Sequence, residues 1–399
     1  MIGSATVIIS LVLTLLLPIY PDGLSADIAA FFGLIALAAG AGMLHRSARR
    51  ELMVISPWAG VLLLGMLVGS FRSGETQQAI EDTLPYILFV MGLVAGRGQN
   101  NPRRVLVVAL WVCAADSFVS LYSMPSYGPE VRSTYTYWKI TAGLPLVGMY
   151  LSALLRNSDP DGRPPALLLR PMHAALMVVM FLGMIASVSR GMMLGWLLGL
   201  IITAYIRKPS QMLGFAILGA IALLVYGSVF AEFGTRYLRA GQASTIEGRF
   251  REIQTAWETF VSYPLFGAGL GAMFEVDGFY KAFVHNMAAY HLWKFGLVGS
   301  ALLALPLWII SRQLHFSTRA LRAIALGGGL GIIAYLVTCA AYKTYYLVWM
   351  YGVIMGASLS WLDQWRRHQA AVADAEATAL AEGLAAQPAP RQDSPSRHE

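Results

Sequence analysis

The sequence predicts an all-α polytopic membrane protein of about twelve transmembrane helices with one large helical loop, on three observations. The chain of 399 residues is 57% apolar and 13% charged, with a mean hydropathy of +0.58. Soluble domains carry roughly 25% charged residues. Apolar runs recur along nearly the whole chain. They are parted by short gaps, with a single long polar interruption at residues 231–285.

Crossing a bilayer takes about 20 apolar residues. Twelve runs fit, at residues 2–20, 25–44, 52–71, 80–96, 104–123, 135–155, 171–189, 191–206, 210–230, 286–311, 320–341 and 343–362, of which the fourth and eighth are short. The first run lacks a basic leader and a small-residue cleavage site, so it reads as a retained span. The seventh and eighth meet at Ser189-Arg190-Gly191, a tight hairpin. Cys113 and Cys339 lie inside apolar runs, where they read as small buried hydrophobes rather than a disulfide or a metal site. The tail, residues 366–399, reads as a short frayed helix followed by a disordered cytoplasmic segment. The organisation expected is therefore nine spans over 1–230, the loop at 231–285, three spans over 286–365 and the tail.

Orientation follows from basic residues. Alternate loops and the tail hold eighteen of the 29 lysines and arginines. The positive-inside rule puts them in the cytoplasm, both termini with them, and the long loop outside. The same rule accounts for the net charge of +7 without nucleic acid. The remaining basic residues work against that bias, among them Arg72, Arg190, Arg249, Arg251, Lys281 and Lys294. Lys139, beside Tyr135, Tyr137 and Trp138, reads as a snorkelling lysine in an aromatic belt. For Arg190 in the outer hairpin, snorkelling and a functional charge both stand open.

Within the loop, Ile246, Phe250, Ile253, Trp257, Phe260 and Val261 recur at helical spacing. The stripe predicts an amphipathic helix over 246–261 with that face on the bundle. Arg249 then falls about 60° from the centre of the stripe and Arg251 about 140° away, toward water. Arg249 can enter a cleft or pair with Glu252 one turn on. Tyr263–Gly271, with its G-x-G-x-G, reads as a flexible turn back to the membrane, since no strand precedes it to support a nucleotide site. His285-Asn286 opens the tenth span; the histidine is a cap or an interfacial residue, or a base able to take a proton near neutral pH. Glu275 and Asp277 read as solvated loop acids, and no Asp-x-Asp or His-rich metal signature accompanies them.

Three motifs stand in chain order: S-x-S-R-G at 187–191, G-R-x(7)-W at 248–257 running into Y-P-L-F-G-A-G-L-G, and H-N at 285–286 followed by F-G-L-V-G at 295–299. Together they resemble the O-antigen ligase / Wzy-type polymerase family of bacterial envelope proteins, best over residues 180–300. The resemblance implies a GT-C-like glycosyltransferase of the bacterial inner membrane with its active site facing the periplasm. The donor is a glycan on undecaprenyl diphosphate. The acceptor is a hydroxyl of lipid A–core in a ligase, or of another lipid-linked glycan in a polymerase. No cofactor and no metal are expected. Carried over by motif, Arg190 and Arg249 hold the diphosphate and His285 is the base. Asn286, Lys281 and Arg72 are candidate supporting residues, apart from the motif carry-over. A transporter or flippase of polyprenyl-linked sugars is the rival from another class. It is expected to show paired interrupted spans in two related halves, whereas here the polar residues concentrate in one loop.

Overall fold

The computed structural model describes residues 2–15, 26–72, 74–127, 143–157, 170–186, 189–209, 243–276, 278–314, 318–339 and 345–385. In chain order these form helices α1 (Ile2–Leu13), α2 (Ala26–Met43), α3 (Arg46–Ile55), α4 (Pro57–Phe71), α5 (Thr76–Arg97), α6 (Pro102–Tyr127), α7 (Leu144–Asn157), α8 (Arg170–Ala186), α9 (Arg190–Arg207) and α10 (Ala243–Ser262). A two-stranded hairpin follows, β1 (Phe274–Val276) and β2 (Phe279–Lys281), and then α11 (Met287–Gln313), α12 (Arg319–Thr338) and α13 (Tyr345–Ala385). The protein is an all-α polytopic membrane protein. Among the described residues, five segments are long and apolar enough to cross a bilayer: Arg46–Phe71, Thr76–Arg97, Pro102–Tyr122, Met287–Gln313 and Arg319–Thr338. Four shorter apolar helices accompany them. The run expected at 210–230 lies outside the described residues, as do Lys139 and Asp277.

Two differences from the expected spans have local causes. The third span starts at Arg46 and bends at Pro57, whose missing N–H ends α3 and suits the first turn of α4. The last span does not fray at residue 366; α13 runs on as one helix to Ala385, with residues 366–378 exposed.

Glycine sets the closest helix crossings. On α5 and α13, Gly92 and Gly96 face Gly352 and Gly356. A Cβ on any of the four would strike a backbone carbonyl of the other helix. On α9 and α12, Gly195 and Gly199 face Gly331 and Gly327 in the same way. Small residues four apart let backbones approach where lipid supplies no hydrophobic drive for helices to pair. The first pair runs parallel, 92 beside 349–353 and 96 beside 353–357; the second runs antiparallel.

Helix α11 is two helices joined at Gly296, whose φ of 63° and ψ of −168° break the ladder. Backbone groups freed inside a membrane need partners, and residues 264–270 supply them. The Ala268 and Gly269 amides donate to the Trp293 and Lys294 carbonyls at 2.7 and 3.0 Å. The Leu297 and Val298 amides donate to Pro264 and Leu265, and the Leu270 amide reaches Gly65 of α4. Gly267, Gly269 and Gly271 all have positive φ and lie too close to neighbouring backbone for a Cβ. The glycine run is thus an ordered insert clamped between α4 and α11, a correction to the flexible turn expected. Glycine is required there for its left-handed backbone and its missing side chain.

Candidate functional site

Helix α10, the glycine insert, the hairpin and the head of α11 share a small core of Ala256, Ala268, Phe274, Val276, Val284, Tyr290 and Trp293. The inward face of α10 is Glu252, Ala256 and Phe260, four residues apart. Phe250, Trp257 and Val261 are 69%, 53% and 59% exposed. The helix is therefore turned by about 80° from the phase the apolar stripe predicted. In a membrane protein an apolar stripe can face outward as readily as inward, because lipid does not exclude it. Around the observed face, Arg249 falls about 20° from the centre and Arg251 about 140° away. Arg249 is thus nearer the inward face than Arg251, although both residues are exposed.

Glu252 is the residue that sequence reasoning missed as part of the site. Its carboxylate is 4% exposed and grips two partners: Lys281 Nζ at 2.6 Å on Oε1 and His285 Nδ1 at 2.8 Å on Oε2. The His285 amide also donates to Oε2 at 3.2 Å. The hairpin delivers Lys281, which pairs across from Phe274 while Phe274 and Val276 point into the core. Buried Val284 is followed by His285, 33% exposed, with its ring edge-on to Phe283 at 5.3 Å. Asn286 is the N-cap of α11 and accepts from the Ala289 amide at 2.9 Å. It fixes where the helix begins, and with it His285.

Burial works to raise the Glu252 carboxyl, but hydrogen bonds from His285 and Lys281 outweigh it and hold the group at about 2. An ionised carboxylate can only accept, so the proton on Nδ1 is assigned by its partner. In the neutral ring Nε2 then carries the lone pair. Among the described residues nothing hydrogen-bonds to Nε2. A carboxylate that fixes an imidazole's tautomer and supports its positive charge is the arrangement a general base needs.

Arg249 lies three residues before Glu252, about 4.5 Å along the axis. The pairing of Arg249 with Glu252 considered from the sequence is not found. Instead its Nη1 donates to the Thr338 carbonyl at 3.2 Å, at the end of α12. The first turn of α9 meets the same residue: a Cβ on Gly191 would run into Thr338 Oγ1. Helix α9 begins at Arg190, capped by Ser189, whose hydroxyl accepts from the Met192 amide. The fold thus brings the Arg190 backbone and the Arg249 side chain to one spot; the Arg190 side chain lies outside the described part of the structure. Arg72 stands elsewhere. Its guanidinium donates to the Gly267 carbonyl and covers the Tyr263 ring at 3.6 Å, so it pins the glycine insert.

His291 and Lys294 face inward on α11. His291 meets Tyr86 Oη at 3.0 Å and the Met287 carbonyl at 2.7 Å. Lys294 Nζ pairs with Asp82 at 2.6 Å, both side chains wholly buried. Among the described residues no three His, Cys, Asp or Glu side chains gather as a metal site would need. Glu275 is exposed on the hairpin.

No curated protein matches the chain. Residues 175–304 match the Wzy_C family model, described as O-Antigen ligase. That stretch holds Arg190, Arg249, Glu252, Lys281, His285 and Asn286, and leaves out Arg72 and Asp82. Over residues 175–304 the chain is therefore similar to the O-antigen ligases of the Wzy_C family, as its three motifs imply.

Proposed function

We propose that this protein is an inner-membrane glycosyltransferase of O-antigen ligase type. It moves a glycan from undecaprenyl diphosphate to an acceptor hydroxyl, lipid A–core or another surface glycan, at the periplasmic face. The observation that carries the reading is the Glu252–His285 pair with Nε2 left free, its Glu252 on the helix that also carries Arg249. His285 Nε2 takes the acceptor's hydroxyl proton as the oxygen attacks the sugar's C1. The C1–O bond to phosphate breaks, and undecaprenyl diphosphate leaves with the bonding pair. The imidazolium formed is balanced by Glu252 and returns its proton to solvent. Guanidinium forks from Arg249 and Arg190 match the leaving phosphate oxygens bidentately and supply countercharge without a resident metal. Direct displacement inverts the anomeric centre. Glu252 is a positioning residue, and Lys281 holds its second oxygen.

The test is transfer by purified protein in vesicles containing a lipid-linked glycan. His285→Ala is expected to lower the rate by roughly 10²–10⁴-fold, the usual worth of a general base. Glu252→Gln places an amide donor where Nδ1–H must be received. It should lower kcat at least ~10²-fold, as the wrong tautomer does in serine proteases, with KM for the donor little changed. A Glu252→Gln enzyme that folds and works at the wild-type rate would overturn the assignment.

A further inference from the structure

Toward the far end of α9 from the Thr338 junction, on a helix about 27 Å long over eighteen residues, α7, α8, α9 and α12 line a cavity of about 260 Å³. That size is just under the ~300 Å³ floor of small-molecule pockets. It suits a head group rather than a whole lipid.

Its chemistry is one-sided. Ser152 and Arg156 share a face of α7, and Thr203 and Arg207 share a face of α9, each pair four residues apart. Both arginines are exposed at the mouth, and neither has a hydrogen bond or carboxylate partner among the described residues. No acid lines the cavity among those residues. On the inner wall, His173 is 1% exposed and its Nδ1 meets Ser152 Oγ at 2.9 Å. Its other nitrogen, Nε2, is buried with no hydrogen-bond partner. A buried ring nitrogen left unpaired costs roughly 1–3 kcal/mol unless a ligand or water meets it. Taking Ser152 as the donor to Nδ1 assigns the hydrogen to Nε2, which is then a buried donor with no protein partner on the cavity wall. Trp196 and Leu200 continue the α9 stripe away from Arg207 as an apolar flank.

We propose that this cavity binds the phosphate head group of an anionic membrane lipid. The two guanidiniums take the charge, His173 Nε2 takes a phosphate oxygen, and the chains lie along Trp196 and Leu200. The loops bearing Arg156 and Arg207 belong to the basic set that the positive-inside rule assigns to the cytoplasm, the side rich in anionic lipid. The inference rests on residues remote from His285 and does not depend on the transfer reaction.

The experiment is titration of phosphatidylglycerol into full-length protein held in phosphatidylcholine nanodiscs, followed by native mass spectrometry and by the rise in unfolding temperature. Arg156→Gln with Arg207→Gln should weaken binding by roughly tenfold or more, at about a kcal/mol per basic residue. It should also remove the thermal shift. The pair Arg49→Gln with Arg50→Gln, exposed on α3 outside the cavity, should leave both readouts unchanged. His173→Gln should weaken binding by a smaller factor. Inorganic phosphate should not displace the lipid at matched concentration. Equal loss in the α3 pair would mean a general basic surface, and equal binding of free phosphate would mean an anion site. Either overturns the proposal.

Discussion

Two carboxylate–cation clusters flank the head of α11, nine residues apart, and only one of them is open. At His285 the acid is Glu252, buried itself but with both partners about a third exposed. At Lys294 everything is closed. Asp82 receives Lys294, Tyr290, Gln78 and the Gly271 amide, and Lys294 also donates to the Ala272 carbonyl at 2.5 Å. The closed cluster ties α5 and α11 to the end of the glycine insert and leaves its members no room for a substrate. The open one leaves a ring nitrogen free. Similar chemical groups thus serve as a fastener or as a site, according to whether one partner reaches solvent.

The largest effect that can break this contrast is on the closed side. Lys294→Met strips the charge from a wholly buried pair and leaves Asp82 behind. The expected loss is about 3–5 kcal/mol of stability, seen as a collapse of the unfolding temperature and of folded yield. Adding Asp82→Asn should recover part of the loss, because the uncompensated charge is gone. His285→Ala should do the reverse, with stability nearly kept and transfer lost. A Lys294→Met protein as stable as wild type, but inactive, would make the closed cluster a second site.

Acid should separate the clusters as well. The Glu252 value in the folded protein is depressed from 4.5 to about 2. Its contribution is therefore fully present above pH ~4.5 and lost as pH falls toward 2. On the order of 3 kcal/mol is at stake, at 1.36 kcal/mol per unit. The stability gap between wild type and Glu252→Gln should be wide at pH 7, narrow steadily below pH ~4.5 and close only near pH ~2. A gap that stays constant over that range would mean that the carboxylate's charge does not matter to the open cluster.

How much of this was legible follows from where each partner sits in the chain. Hydropathy reads a helix by itself, so the all-α membrane class is legible, and five long apolar segments stand among the described residues. Arg190, Arg249 and His285 are legible as motif positions inside the matched stretch 175–304. Glu252 did not, because its partners lie 29 and 33 residues on and are brought back only by the hairpin. The signal available was an acid four residues before Ala256 and eight before Phe260, on a helix whose large apolar residues lay on another face. Asp82 was beyond reach for the same reason, with partners 189–212 residues away. The phase of α10 was misread because the sign of hydrophobicity is ambiguous beside lipid. The break at Gly296 leaves no trace in an apolar run, although the F-G-L-V-G motif marks the place.

The smallest effect sharpens the open side from within one helix. Arg249 and Arg251 are two residues apart, and the observed face of α10 puts only Arg249 toward Thr338 and the start of α9. Lysine at 249 keeps the charge and loses the planar fork, so a diphosphate bound bidentately should feel the exchange. Arg249→Lys is expected to lower kcat/KM for the lipid-linked donor by roughly 10–100-fold, about one or two charge-assisted hydrogen bonds. Arg251→Ala should stay within twofold, since an outward surface charge contributes at most about 1 kcal/mol to any pair. Measured side by side on the same donor, the two isolate direction from charge. If Arg249→Lys were silent while Arg251→Ala lost activity, the working face of α10 would be the exposed one, and the Glu252–His285 pair would have to be read as a second fastener like Asp82–Lys294.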